Sequence, residues 1–265
     1  MRRPLPLAAL LSAALLSATV FSAAFALAEA PLVVPRTWPD ELPLDPAPIT
    51  TSSWPELPPA LAAVPPATPA AARIVALLEE IQRTQRDYAY QHRTSVNERL
   101  GRYRWDCSGL VSWVLHRASP RAGAAIGQER TTARGIHRLI ERAPTGTSRR
   151  GWERLEHIED VRAGDVFAWR TPPGSTSPHT GHTGFLMERP RPVPGLRHAY
   201  AIRVADSIVG PHQDDTRPEG TDGGLGFGVF VFLTDGAGHA THFGWHGTRT
   251  VAYGRTPVLF GRVHR

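Results

Sequence analysis

The sequence contains a single cysteine, Cys107, and no lysine, so all 30 of its basic residues are arginine. One thiol excludes an intramolecular disulfide. In a compartment where disulfides stabilise small domains, a lone cysteine is an inert buried thiol, a link to another chain, or a group kept for its chemistry. Long runs of one charge are also missing: the arginines are scattered, with short pairs such as Arg149-Arg150. The formal charge of +6, from 30 basic against 24 acidic residues, favours acidic partners in general. It does not form the clustered basic stripe of a nucleic-acid-binding domain, so no nucleic acid is expected as a partner. After the first 30 residues no apolar run approaches the length needed to cross a bilayer. What is present, 41% hydrophobic and 20% charged residues over 265 positions, excludes a wholly disordered or collagenous chain.

Residues 1–30 read as an export signal. Arg2 and Arg3 form its charged start, Leu5 to Leu27 its apolar stretch, and the small residues Ala26 and Ala28 suit cleavage after Ala28 or Ala30. Losing two arginines and Glu29 takes the charge from +6 to +5. The alternative is an uncleaved anchor, the only form in which a membrane would be a partner. Residues 31–70 carry 12 of the 25 prolines and read as an extended linker, solvated or docking through Trp38 and Trp54. Residues 71–265 read as one folded domain. Ile74, Leu77, Leu78 and Ile81 predict a first helix from Ala71, Leu110, Val111, Val114 and Leu115 a second over Cys107–Arg117, and a third is expected over Thr131–Arg142. Short strands follow at 165–169, 183–187, 200–205, 228–233, 241–245 and 258–263. Helices first and strands afterwards give an α+β class.

The stretch Trp105-Asp106-Cys107-Ser108-Gly109-Leu110-Val111 places the thiol in the first turn of an amphipathic helix capped by Asp106, where unpaired amides and the positive helix end favour a thiolate. Gly109 would let a substrate backbone approach. A nucleophilic thiolate needs a base, and of 12 histidines His182, in Gly181-His182-Thr183-Gly184, is best placed. It opens a strand, with glycines that leave its ring accessible; the other reading is a histidine of a glycine-rich turn. A third group orients the imidazole. Asp206, after the strand Ala201 to Ala205, is preferred over His198 because a carboxylate also stabilises the imidazolium.

These residues resemble the NlpC-type cysteine peptidases of bacterial cell walls and the related CHAP amidases of the same papain-like group. Asp106-Cys107-Ser108-Gly109-Leu110-Val111 is similar to the family's nucleophile motif, Gly164-Asp165-Val166-Phe167-Ala168-Trp169 to its first core strand, and His182-Thr183-Gly184-Phe185-Leu186 to its base-bearing strand. The resemblance implies a papain-like fold with N-terminal helices packed on an antiparallel sheet. It also implies Cys107 as nucleophile, His182 as base and the rim of the next strand, here Asp206, as orienter. Tyr90, Ser108 and Gly109 become the substrate and oxyanion candidates, although the family's glycine pair before the nucleophile is absent. The implied activity is exported, periplasmic or extracellular, cleavage of stem-peptide amide bonds in peptidoglycan, or CHAP-like separation of glycan from peptide, with no cofactor and no metal.

Other groupings carry less. His239, His242 and His246 do not share a face if they lie on a turn and strand. His179 and His182 lack an obvious third zinc ligand, with His212, Asp214 and Asp215 the nearest aids. Gly223, Gly224, Gly226 and Gly228 precede a strand, which reads as a flexible loop beside the groove rather than a phosphate loop. Trp245 and His246 are candidates for a pocket wall. Two other classes compete with hydrolysis: a non-catalytic envelope-binding module and a thiol acyltransferase. Oligomeric state is not readable.

Overall fold

The computed structural model describes residues 64–127, 131–173, 175–212, 214–218, 220, 223–245 and 254–265. The export signal, most of the proline-rich stretch with Trp38 and Trp54, and His246 lie outside the described residues. These residues form an α+β domain, with four α-helices and two sheets among them. Helix α1 (Pro69–Thr84) begins two residues earlier than predicted. Thr68 caps it by accepting from the Ala71 amide, and Pro69 occupies a position where no amide hydrogen is needed. The Thr68 hydroxyl also donates to the Val263 carbonyl, so the end of the stretch read as linker is tied into the domain.

Between α1 and the second helix lies a small sheet that the helices-then-strands reading did not contain. Its strands are β1 (Asp87–Tyr90), β2 (Ser95–Asn97) and β3 (Arg102–Trp105), with β3 central, parallel to β1 and antiparallel to β2. Then follow α2 (Cys107–Ala118), α3 (Pro120–Ile126) and α4 (Ala133–Glu141). The large sheet contains β4 (Trp152–Leu155), β5 (Val166–Arg170), β6 (Gly181–Leu186), β7 (Arg191–Pro192), β8 (Ala199–Ile208), β9 (Gly224–Thr234), β10 (Ala240–Trp245), β11 (Gly254–Arg255) and β12 (Val258–Val263). Its order is β11-β10-β9-β8-β6-β5-β12-β4, with β7 beside β8, and every pairing is antiparallel.

Strand alternation divides the interior between the two faces of this sheet. In β5, Val166 and Ala168 join the core that includes Ile74, Leu78, Leu110, Val114 and Ile140 of the helices. Phe167 and Trp169 join Ile202, Val204, Phe230, Phe232 and Phe260 on the other face. Helix α2 packs on β6 and β8, while β1 and β3 lie against β9. No helix among the described residues is long and apolar enough to cross a membrane.

Candidate active site

Cys107 is the first residue of α2, and it is buried. The Asp106 side chain accepts from the Gly109 amide at 2.7 Å, which fixes the helix start and therefore the position of the thiol. His182 is the second residue of β6, opposite Trp169 of β5, whose ring centroid is 5.0 Å from the imidazole. Strand β8 is the other neighbour of β6. Its register pairs Phe185 with Ala205, and continuing it sets Gly184 opposite Asp206. His182 is then the diagonal neighbour of Asp206, and its Nε2 lies 2.6 Å from Oδ2. That contact commits Nε2, and Cys107 is the other group whose interactions raise the imidazole. Cys107, His182 and Asp206 are thus brought together in one chain of contacts.

Asp206 has further partners. The Nε2 of His212 lies 2.8 Å from Oδ2, and Nη2 of Arg217 donates to Oδ1 at 2.9 Å. The Asp206 and His212 side chains are fully buried, and that of Arg217 is 1% exposed. Burial alone would push the Asp206 carboxyl up, but the neighbouring His212 and Arg217 and the hydrogen bond from His182 hold it well below the usual carboxylate range. Burial pushes His212 down despite Asp206, so at neutral pH it contributes a hydrogen bond from Nε2–H, and Arg217 is the fixed positive charge. Burial opposes the charged form of His182 as well. Interactions with Cys107 and Asp206 outweigh it and hold the imidazole well above its ordinary value. A charged imidazole beside a thiol is an arrangement in which the imidazole can exchange a proton with an attacking thiol and with a leaving nitrogen.

Several candidates take other places. His198 stands in a left-handed turn before β8, eight residues from Asp206, or about 25 Å at strand rise, and so lies outside this site. Asp206 is inside β8 rather than after it, because the strand runs on to Ile208; Ser207 donates to the Trp105 carbonyl at 3.0 Å, tying β8 to the end of β3. Ser108 is 4% exposed, and its hydroxyl lies 2.9 Å from Asp106 Oδ1 and 3.1 Å from the Thr131 carbonyl, so its partners are within the fold. The space in front of Gly109 holds Thr94: a Cβ there would meet its Oγ1 at 2.5 Å, so the glycine admits the chain's own side chain rather than a substrate backbone. Tyr90 ends β1 with its ring edge-on to His92, and His92 Nδ1 is 3.4 Å from Asp106 Oδ2.

The glycines around His182 serve close packing. A Cβ on Gly181, at φ +133°, would overlap the Trp169 carbonyl, and one on Gly184 would lie 2.9 Å from the Asp206 Cβ. Gly224, Gly226 and Gly228 are part of β9, a buried strand, and not of a flexible loop. Cβ atoms at Gly226 and Gly228 would collide with Arg217 and with the Cβ of His212, so this glycine alternation marks where His212, Asp215 and Arg217 lie on the strand. Sequence reasoning missed Arg217 and considered His212 only for zinc. The available signal was a His-x-x-Asp-x-Arg stretch soon after Asp206, followed by glycines two apart. Among the described residues no group of three or more His, Cys, Asp or Glu side chains is arranged to hold a metal ion. His179 lies with its ring 6.5 Å from that of His92, His242 is buried in β10, and His239 is on an exposed turn. Trp245 ends β10 opposite Phe230.

Comparison with protein-family models, with curated proteins and with solved structures found no match to this chain.

Proposed function

We propose that this protein is a cysteine hydrolase of amide bonds, an exported peptidoglycan stem-peptide endopeptidase of the NlpC type on a papain-like scaffold. The observation that carries the reading is His182, held between the Cys107 thiol and the buried Asp206 carboxylate. The helix-borne thiol, its packing against β6 and β8, and the motif resemblance point the same way. In the proposed reaction Cys107 Sγ attacks the scissile carbonyl carbon, and the oxyanion is held by the Cys107 backbone amide and a second donor upstream. The C–N bond breaks as His182 gives its proton to the departing amine, leaving a thioester. Water then attacks that carbonyl while His182 takes its proton; the acid departs and the thiolate returns. Asp206 keeps the ring oriented and its positive charge stabilised throughout. Binding without turnover is the competing outcome of the test.

The test is incubation of the purified protein and its Cys107→Ala variant with purified peptidoglycan, followed by mass spectrometry of the soluble products. The expected result is new peptide termini from the unmodified protein alone, and their identity separates stem-peptide cleavage from glycan–peptide amidase action. Equal release by both proteins, or none from either, overturns the reading.

A further inference from the structure

The segment after β8 is built around Asp206 more elaborately than the orientation of one imidazole requires. Arg217 reaches Asp206 Oδ1 through Nη2, and its remaining polar edge is occupied: Nη1 donates to the Gly224 carbonyl at 3.0 Å, while Nε and Nη2 donate to the two oxygens of Asp215 at 2.9 and 2.7 Å. Asp215 in turn accepts from the backbone amides of His212 and Arg217, each at 2.7 Å. Thr216 closes the segment onto β9, its amide donating to the Phe227 carbonyl and its hydroxyl accepting from the Phe227 amide. His212 and Arg217 therefore approach the carboxylate from one short strap laid over Gly226 and Gly228, where any side chain would displace it.

We propose that Arg217 and His212 are positioning residues, which hold Asp206 ionised and in one orientation so that His182 carries its proton on Nε2 and turns Nδ1 to Cys107. The inference rests on the reading of Cys107 as the nucleophile. Its physical basis is the cost of an isolated buried carboxylate, which takes up a proton unless paired. A protonated Asp206 would be able to donate to Nε2, reversing the tautomer, and would no longer stabilise an imidazolium. The charged and titratable groups that meet here are His182 from β6, His212, Asp215 and Arg217 from the strap, and Cys107 from α2 beyond the imidazole. Arg217 supplies charge that does not titrate in the working range. His212 adds a second donor to the oxygen that His182 uses, limiting rotation of the carboxylate.

The test reads the thiol without any substrate: the rate of Cys107 alkylation by iodoacetamide in the full chain, measured from pH 5 to 10. Arg217→Met is expected to slow alkylation at pH 6 by about tenfold or more while leaving the rate near pH 10 close to that of the unmodified protein, since a thiol that holds its proton about tenfold more tightly has a correspondingly smaller reactive fraction at low pH. Arg217→Lys, which keeps the charge, is expected to restore most of the low-pH rate. If circular dichroism shows that Arg217→Met does not fold, His212→Leu against His212→Gln carries the same comparison. A folded Arg217→Met or His212→Leu protein with the unmodified pH profile overturns the proposal. The expected profiles without any release from peptidoglycan would remove the hydrolase reading alone, whereas peptide release with an unchanged Arg217→Met profile would remove the positioning role alone.

Discussion

His182 and His242 are both imidazoles on strands of one sheet, three strands apart in its order, and their surroundings drive them in opposite directions. Burial is the first influence on each. At His242 it is reinforced by Arg255, directly opposite on β11, and the imidazole is pushed down to about 4. His137 on α4 is likewise pushed to about 4, by burial and by Arg170. At His182 interactions with Cys107 and Asp206 reverse the same penalty. A buried histidine is thus neutral by default, and it takes up a proton only where the fold supplies partners that favour the imidazolium.

The largest expected effect separates the two directly. His182→Ala should lower peptide release by about four orders of magnitude, while His242→Gln should leave it within a few-fold; comparable losses in both would break the contrast. Next, Asp206→Asn leaves Arg217 beside a neutral amide in a dry site. It should cost about 3 kcal/mol or more of stability as well as at least about a hundredfold in turnover, measured by urea unfolding and peptide release.

The pH dependence of stability sharpens the comparison further. A histidine depressed in the folded state binds fewer protons there than when unfolded, so stability should fall as pH drops from about 6.5 to about 4, by up to about 3 kcal/mol for each of His137 and His242. His182 has the opposite sign: its contribution is present at low pH and is lost as pH climbs through its raised value. Urea melts across the acid range should show the decline, and His242→Gln should flatten it. The smallest effect concerns the strap. Gly226→Ala should cost about 1–3 kcal/mol through collision with Arg217 and should reduce turnover, whereas Gly236→Ala, with nothing within 4 Å of its new Cβ, should be near neutral.

Legibility in the sequence followed the range of the interactions. Helix α2 was readable because its cap, apolar stripe and thiol are contiguous, and Val258–Val263 because its apolar run is short and bounded by proline. The strands of the small sheet were missed although Arg102-Tyr103-Arg104-Trp105 alternates, because they are short and lie among arginines; Trp105 and Tyr103 find their cover in Trp113 of α2. Asp206 was legible as the carboxylate of a neighbouring strand, but His212 and Arg217 were not, since their convergence depends on a loop folding back over β9. Gly226 and Gly228 were visible as glycines, and what they make room for was not.

By itself, the sequence determined the helix that carries Cys107, the strand next to His182 and the strand that ends at Trp169, because caps and short apolar runs act over a few residues. Only the tertiary structure decided that Asp206 and not His198 meets His182, that Gly109 faces Thr94, and that a buried arginine stands behind the carboxylate. Those outcomes rest on strand register and on burial of charge, which are set by chain segments far apart in sequence and by the requirement that each desolvated group meet a partner.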